Sequence, residues 1–467
     1  MFFNSFQFFT FLCFFLGVYY LTPQRAKSAL ILLASLFFYA CWDFRFLGLI
    51  LLSTVVDYVV GLKLHASERP KIRKWWVTLS LTVNLGLLGV FKYLNFFIEN
   101  ASDLLSRVGL SSLDGWTLQI VLPVGISFYT FQTLSYTLDI YRKELKPTRN
   151  FIDFAAFVSF FPQLVAGPIE RASHLLPQIQ SPPRPTADQL KHGGFLLLWG
   201  LFEKVVVADN LAKLTDAGFA NPNSGLETLI ALYSFAFQVF ADFDGYSNMA
   251  RGMAALMGFK LFHNFNAPYF AVNPSEYWKR WHITLSTWLR DYLYIPLGGN
   301  RKGTLRTYSN LATVMVLGGL WHGASWNFVI WGAIHGGMLG FERAQGKDSF
   351  YRHLPGPVKT AITFVIVCFA WVFFRAETLP QALAYCEVLI GLGDAVPGSD
   401  LIAGLIYQPY YVISLTVAAL VTWCCPQTWD FTGRITWPRA ALALGLFWAS
   451  LIVLTTQAYN PFIYFIF

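Results

Sequence analysis

Long apolar runs with almost no charged residues dominate this chain of 467 residues. Only 13% of the residues are Asp, Glu, Lys or Arg, whereas soluble domains average about 25%. Hydrophobic residues make up 55% of the chain, and one soluble core cannot bury so much apolar surface. The sequence therefore predicts an all-α polytopic integral membrane protein, with about 10 to 13 membrane segments.

Several of the apolar runs are shorter than the roughly 20 residues that a helix needs to cross a bilayer. Such runs predict re-entrant elements or segments buried in protein, because irregular backbone survives at membrane depth only in those places. We find no extramembrane domain and no internal repeat in the sequence. Residues 1–467 are therefore expected to form a single transmembrane domain.

Basic residues outnumber acidic ones and give the chain a net charge of +8. In a membrane protein this excess indicates which loops are cytoplasmic, and it does not indicate nucleic-acid binding. Basic clusters at 25–27 and 63–74 flank two short apolar runs, so both loops can be cytoplasmic and the N-terminus then starts outside. The same rule places 251–306 and 343–359 inside.

The segment 320–336 is apolar, aromatic and free of Lys, Arg, Asp and Glu, yet it carries His322 and His335. An ionisable residue in a membrane segment indicates a functional site, and neutral imidazole can act as a general base near pH 7. A packed histidine bonded to a backbone carbonyl is the alternative. Glycines around His322 allow close helix approach or a local break.

His335 receives less functional weight than His322. The two residues are 13 positions apart, which on one helix would turn them about 220° away from each other. A zinc site made by this pair on one helix is therefore not expected, and no metal is predicted. Trp331 lies four residues before His335 on the same helix face, which is typical of a packing pair.

The stretch 273–299 begins with a helix-start pattern, in which Asn273 can cap, Pro274 fits the first helical position and Glu276 follows three residues after the cap. A continuous helix would carry a broad aromatic face, interrupted too often by charges to span a membrane. It is predicted to lie at the interface or to line a cavity. His282 belongs to this helix, and it would be an interfacial histidine in the first case and face a cavity opposite His322 in the second.

Three cations of the same stretch are candidate substrate-binding residues: Lys279, Arg280 and Arg290. Guanidinium and ammonium groups suit the phosphates of an acyl donor. Contact with lipid headgroups explains the same charges equally well.

The segment 240–252 holds a third group of polar residues. Asp244 and Asn248 share a helix face, Arg251 lies about one turn further, and Asp242 faces elsewhere. An internal network of ion pairs and hydrogen bonds is the favoured interpretation. An ion or proton site of a transporter, with Asp242 as a secondary candidate, is the alternative.

Four segments together resemble the membrane-bound O-acyltransferase (MBOAT) family, in particular its bacterial branch that includes the alginate O-acetylation membrane protein. They are residues 122–142, 160–178, 277–301 and 317–336. The resemblance covers nearly the whole chain, and the last two segments are the most specific. The family's invariant histidine corresponds to His322, and its second polar residue corresponds to His282.

This resemblance implies a helical bundle around a central tunnel. Acetyl-CoA is the implied acyl donor, no cofactor stays bound, and the site lies in a bacterial inner membrane. His322 would act as the base, while His282 would stabilise the oxyanion or bind the acyl carbonyl. Trp321 and Asn327 complete the candidate substrate-binding set. Near Asp242 the family pattern is expected to read DFSGYSD, whereas this chain has DFDGYSN.

The implied function is O-acetylation of an exopolysaccharide such as alginate or cellulose. A periplasmic or membrane-anchored acetyltransferase, polysaccharide export machinery and membrane lipid are the expected partners. Within the family, D-alanylation of teichoic acid and O-acetylation of peptidoglycan remain open. A transporter or flippase and a membrane scaffold are alternatives from other classes. A transporter of this size often shows inverted repeats, which the sequence lacks, and a scaffold gives no reason for histidines at positions 282 and 322.

Overall fold

The computed structural model describes residues 1–110, 116–118, 121–222, 224–346, 350–393, 404–425, 436–456 and 462–463. In these ranges the chain forms helices and no β-strand. Five helical stretches among the described residues are long and apolar enough to cross a membrane: Gln24–Ala66, Pro70–Arg107, Gly225–Leu256, Gly356–Arg375 and Trp437–Thr456. The predicted all-α membrane architecture is confirmed. The predicted number of membrane segments and the central tunnel stay predictions.

The chain forms two compact units, and the first comprises residues 1–190 and 253–262. The expectation of a single domain stays a prediction. The helices of the first unit are α1 (Phe6–Leu21), α2 (Lys27–Asp43), α3 (Leu47–Ala66), α4 (Pro70–Leu88), α5 (Leu94–Arg107), α6 (Ile126–Tyr141), α7 (Phe151–Ser159), α8 (Phe161–Leu164) and α9 (Ala172–Gln180).

The second unit comprises residues 191–252 and 263–467. Its described helices, two of which extend slightly beyond these limits, are α10 (Ala187–Phe202), α11 (Asp209–Ala220), α12 (Gly225–Leu256), α13 (Pro274–Arg280), α14 (Ile283–Leu289), α15 (Thr304–His322), α16 (Trp326–Gln345), α17 (Gly356–Arg375), α18 (Leu379–Leu389), α19 (Pro409–Cys424) and α20 (Trp437–Thr456). Wider π-helical turns follow α10 at Glu203–Ala208 and α14 at Arg290–Tyr294.

A buried polar cluster joins three helices of the first unit. Asp57 of α3 is fully buried, and its carboxyl accepts hydrogen bonds from Ser80 and Asn84 of α4 and from Thr137 of α6. The Asn84 amide oxygen in turn accepts a hydrogen bond from the Ser53 hydroxyl at 2.6 Å. Each of these polar groups is satisfied by a neighbouring helix, so the cluster stabilises the packing of α3, α4 and α6.

Helices α15 and α16 form a tight hairpin in the second unit. They are joined by only residues 323–325, and small residues let the two backbones approach closely. A Cβ added at Gly319 would come within 2.1 Å of the Phe328 carbonyl oxygen, and one at Gly332 within 2.3 Å of the Met315 carbonyl oxygen. This packing confirms the close approach expected near His322 and places that residue at the end of α15, beside the turn.

Candidate active site

The predicted helix start at Asn273 is confirmed, but the predicted continuous helix is wrong. The Asn273 side chain accepts a hydrogen bond from the Glu276 backbone N–H at 2.7 Å, and Pro274 is the first residue of α13. This helix ends at Arg280, and α14 begins at Ile283. His282 therefore sits in a break between two short helices and not on a continuous helix face.

His282 adopts a strained backbone conformation in this break. Its φ of 40° and ψ of 56° lie in the left-handed region, which residues other than glycine rarely adopt. Such strain persists only where the surrounding structure imposes it, and it is concentrated at functional sites. The break turns the His282 side chain into the protein, where it is fully buried.

Asn264 fixes the orientation of the His282 ring. The Asn264 Oδ1 atom lies 3.1 Å from His282 Nδ1 and also accepts a hydrogen bond from the Thr284 hydroxyl at 2.8 Å. Since an amide oxygen can only accept, the neutral imidazole donates its proton from Nδ1 and carries its lone pair on Nε2. Among the described residues, His282 Nε2 has no hydrogen-bond partner.

His322 lies close to His282 inside the second unit. The two ring centroids are 6.4 Å apart, and the His322 side chain is only 4% exposed. Aromatic rings enclose the His322 imidazole, with centroids at 4.9 Å for Trp321, 5.2 Å for Trp331 and 5.2 Å for Phe374. The two histidines are thus near enough to contact one small group from two sides in a dry, aromatic environment.

The candidate substrate-binding residues Trp321 and Asn327 lie in different surroundings. Trp321 contacts the histidine pair, whereas Asn327 connects two helices by a hydrogen bond. The centroid of the Trp321 ring is 5.9 Å from that of His282, so this indole packs against both imidazoles. Asn327, near the start of α16, donates a hydrogen bond from Nδ2 to the Ala376 carbonyl oxygen at 2.6 Å. That bond ties α16 to the end of α17. Substrate binding by either residue stays a prediction.

The three candidate cations have carboxylate partners or lie at the surface. Arg280 pairs with Glu276 at 2.7 Å, Arg290 pairs with Asp291 at 2.7 Å, and Lys279 is exposed. The Arg290 side chain is 60% exposed to solvent. These contacts leave Lys279 and Arg290 accessible to a phosphate, whether it belongs to a donor or to a lipid.

Asp242 lies in a buried ion network, as the favoured interpretation expected. Lys204 Nζ is 2.7 Å from both Asp242 Oδ1 and Asp209 Oδ1. The second oxygen of Asp242 accepts the backbone N–H of Ile463 at 2.6 Å. The carboxylate thereby links α12 to the turn after α10 and to the C-terminal segment.

Asn248 of the same motif bridges a second pair of charged groups. Its amide nitrogen donates to Glu203 at 3.0 Å, and its amide oxygen accepts from Arg251 at 3.1 Å. An amide has one donor and one acceptor end, so it can join a carboxylate to a guanidinium. This arrangement supports a structural network in the DFDGYSN segment.

His335 lies in an aromatic pocket next to the histidine pair. Its ring centroid is 4.7 Å from that of Trp331, which confirms the predicted packing pair. Trp278 lies at 5.1 Å, and the Tyr277 ring stacks at 5.9 Å with an interplanar angle of 7°. Trp331 therefore contacts both His322 and His335, which the sequence could not indicate because the two histidines lie on different helices.

Sequence reasoning missed Asn264 and Phe374. Asn264 lies 18 residues before His282, outside any helix, and only the tertiary fold brings its side chain to the imidazole. Phe374 comes from α17 and resembles many other core aromatics. The only available signal was the presence of an amide within a strongly apolar and aromatic stretch.

The comparison with protein families decides the classification. Residues 36–377 match the family described as MBOAT, membrane-bound O-acyltransferase. The chain belongs to this family. It is therefore an acyltransferase embedded in a membrane, and the match includes both histidines of the buried pair.

Relatives of this MBOAT chain include proteins with several named activities. The probable alginate O-acetylase of Pseudomonas putida is 42% identical, and the alignment covers 98% of each chain. The peptidoglycan O-acetyltransferase of Helicobacter pylori is 40% identical over 81% of this chain and 77% of its own length. The teichoic acid D-alanyltransferase of Bacillus subtilis is 28% identical over 54% of this chain and 69% of its own length.

Proposed function

We propose that this protein moves an acetyl group from cytoplasmic acetyl-CoA across the bacterial inner membrane for O-acetylation of an exopolysaccharide, such as alginate or cellulose. The buried pair of His282 and His322, with ring centroids 6.4 Å apart, is the observation that carries the proposal. The full-length similarity to a probable alginate O-acetylase supports the acetyl group and the polysaccharide.

The proposed reaction transfers an acyl group between a thioester and a hydroxyl. The hydroxyl oxygen attacks the thioester carbonyl, a C–O bond forms and the C–S bond breaks. The hydroxyl proton passes to an imidazole and a proton passes from an imidazole to the departing thiolate, so the reaction releases an ester and a thiol. An imidazole within hydrogen-bond reach of the hydroxyl supplies this general-base catalysis.

The contact between Asn264 and His282 supports different chemical roles for the two histidines. Because the Asn264 oxygen accepts a hydrogen bond from Nδ1–H, neutral His282 presents a lone pair at Nε2 and can accept a hydrogen bond from the attacking hydroxyl. We therefore assign His282 to the hydroxyl, instead of to the oxyanion as the resemblance implied. His282 is proposed to take the proton of the hydroxyl, and His322 is proposed to donate a proton to the departing thiolate, after which a proton passes from His282 to His322 and restores the pair. The aromatic rings around both residues would exclude water from the thioester.

The charge distribution supports the proposed orientation. The basic residues near 63–74 and 251–306 favour a cytoplasmic position for these loops, where acetyl-CoA is available, and a periplasmic position for the N-terminus. Exposed Lys279 and Arg290 would meet lipid headgroups or the donor's phosphates on that side. A periplasmic or membrane-anchored acetyltransferase is the proposed receiver of the acetyl group, in association with polysaccharide export machinery.

O-acetylation of peptidoglycan is the second candidate function. The observation that favours it is the 40% identity to the Helicobacter pylori enzyme over most of both chains. The two functions share donor chemistry and differ in the accepting polymer. D-alanyl transfer has weaker support, because the corresponding relative is 28% identical over 54% of this chain.

The test measures acetyl esters on secreted polysaccharide and on peptidoglycan from one deletion strain. The strain is complemented with wild type, His322→Ala, His282→Ala or the control Lys146→Ala, an exposed lysine far along the chain from both histidines, with membrane levels matched by immunoblot. We expect wild type and Lys146→Ala to restore polysaccharide esters, and both histidine variants to fail with polymer yield unchanged.

Each other outcome changes the assignment. Esters lost from peptidoglycan alone would establish the second candidate. Normal esters in His322→Ala would contradict the proposed chemistry. Loss of the polymer itself, with His322→Ala behaving as wild type, would favour a transporter or scaffold.

A further inference from the structure

Three aromatic rings enclose His335, and we call the group of His335, Tyr277, Trp278 and Trp331 the aromatic chamber. The His335 side chain is 0% exposed and is enclosed by Tyr277 and Trp278 of α13 and by Trp331 of its own helix. The ring centroids of Trp278 and Trp331 are 5.7 Å apart. Helix α13 thus contributes two aromatic rings to this contact, and helix α16 contributes one aromatic ring and the imidazole.

Four nitrogen atoms in this chamber have no hydrogen-bond partner within the part of the chain that the structure describes. They are both ring nitrogens of His335 and the indole Nε1 atoms of Trp278 and Trp331. More than nine-tenths of buried polar groups in proteins are hydrogen-bonded, since leaving them unpaired is unfavourable. Phenylalanine at 335 would fill the same space without that cost, so packing alone does not explain the histidine.

The unpaired groups define the chemistry of a complementary ligand. Each indole contributes one N–H donor, and neutral His335 contributes one donor and one acceptor. The chamber therefore offers three donors and one acceptor. A neutral group with acceptor lone pairs and a single N–H or O–H matches it, which describes a hydroxyl or a secondary amide.

Trp331 connects this chamber to the proposed reaction centre. Its ring centroid is 5.2 Å from that of His322 and 4.7 Å from that of His335. A substrate group held beside His335 would lie one ring away from the imidazole of His322. We propose that His335, Trp278 and Trp331 form a substrate-binding subsite, which holds a hydroxyl or secondary amide of a substrate next to the reaction centre. This inference rests on the proposed function.

Two substrates could supply the matching group. The pantetheine arm of acetyl-CoA contains secondary amides, and the acyl acceptor contains hydroxyls. Membranes with equal amounts of each variant would be assayed for acetyl transfer while the concentrations of acetyl-CoA and of the acceptor are varied in turn. A raised KM for acetyl-CoA assigns the amide, and a raised KM for the acceptor assigns the hydroxyl.

The decisive variants are His335→Phe, His335→Asn, His335→Gln and Trp278→Phe. Phenylalanine keeps the ring shape and removes both nitrogens, whereas Asn and Gln each keep one donor and one acceptor. We expect His335→Phe to raise one KM roughly tenfold, as loss of one hydrogen-bonded group would. Either Asn or Gln should recover most of this loss, and Trp278→Phe should raise the same KM.

The thermal unfolding midpoint separates binding from packing. No hydrogen bond to His335 is present among the described residues, so His335→Phe should unfold at the same temperature as wild type or higher. Full activity in His335→Phe would overturn the proposed subsite. A loss of activity would also overturn it if the unfolding midpoint fell as well, or if neither His335→Asn nor His335→Gln recovered activity. If His322→Ala were fully active in the same assay, the proposed function itself would fail.

Discussion

The buried polar cluster of the first unit and the histidine pair of the second unit both place polar groups in an apolar interior, but they differ in whether those groups are hydrogen-bonded. Asp57 is fully buried, and three side chains of neighbouring helices donate hydrogen bonds to its carboxyl. His282 is equally buried, yet its Nε2 atom has no partner among the described residues. Satisfied polar groups stabilise a fold, whereas an oriented and unsatisfied one is available to a substrate.

Satisfied and unsatisfied buried polar groups should respond differently to substitution. Substitution in the satisfied cluster should lower stability and leave the rate per folded molecule unchanged. Substitution at the histidine pair should lower the rate strongly and lower stability much less. The following changes test this separation, from the largest expected effect to the smallest.

His322→Gln should cause the largest loss of acetyl transfer. Removal of a general acid–base group typically costs about 10²- to 10⁴-fold, and glutamine preserves hydrogen bonding without accepting the proton. The initial rate of ester formation in membranes, normalised to the amount of enzyme, measures this effect. A rate within threefold of wild type, as an order-of-magnitude limit, would exclude the proton-transfer role.

Asp57→Ala should produce the largest loss of stability. It leaves donors of Ser80, Asn84 and Thr137 buried without their acceptor, and breaking such a network costs about 2 to 4 kcal/mol. The midpoint of thermal unfolding in detergent should fall, while the rate per folded molecule stays that of wild type. An unchanged midpoint would show that the cluster is not structural, and Asp57→Asn provides a variant of nearly equal size.

Asn264→Leu should have an intermediate effect on the rate. It removes the acceptor that fixes His282 Nδ1, and loss of such an orienting partner commonly costs about 10- to 100-fold. Asn264→Asp keeps an acceptor at this position and should retain more activity than Leu. Equal rates for the two variants would contradict the assignment of the lone pair to Nε2.

Lys279→Ala and Arg290→Ala should have the smallest effects. Lys279 is exposed, and the Arg290 ion pair with Asp291 lies at the surface, where such pairs contribute little. We expect each variant to keep the rate within about twofold of wild type. A several-fold increase in the KM for acetyl-CoA would instead assign these cations to the donor's phosphates.

The sequence was sufficient for the fold class, and it singled out the two histidines that the structure brings together. The low fraction of charged residues predicted the all-α membrane architecture. The resemblance of segments 277–301 and 317–336 to the family singled out His282 and His322. The break at His282 could not be predicted, because the flanking apolar residues continue the helical pattern through it. The contact with Asn264 depends on tertiary packing between residues 18 positions apart, with α13 between them, and has no local signature.

The most direct test compares His282→Phe with Asp57→Asn in one preparation, measuring both the rate of acetyl transfer and the midpoint of thermal unfolding. The separation of roles predicts that His282→Phe loses at least roughly 100-fold in rate, while its midpoint falls by less than that of Asp57→Asn because the Asn264 oxygen keeps its hydrogen bond from Thr284. It predicts the reverse for Asp57→Asn, a lowered midpoint with a normal rate per folded molecule. A normal rate in His282→Phe, or a loss of rate that only follows a loss of folded protein, would contradict the central claim.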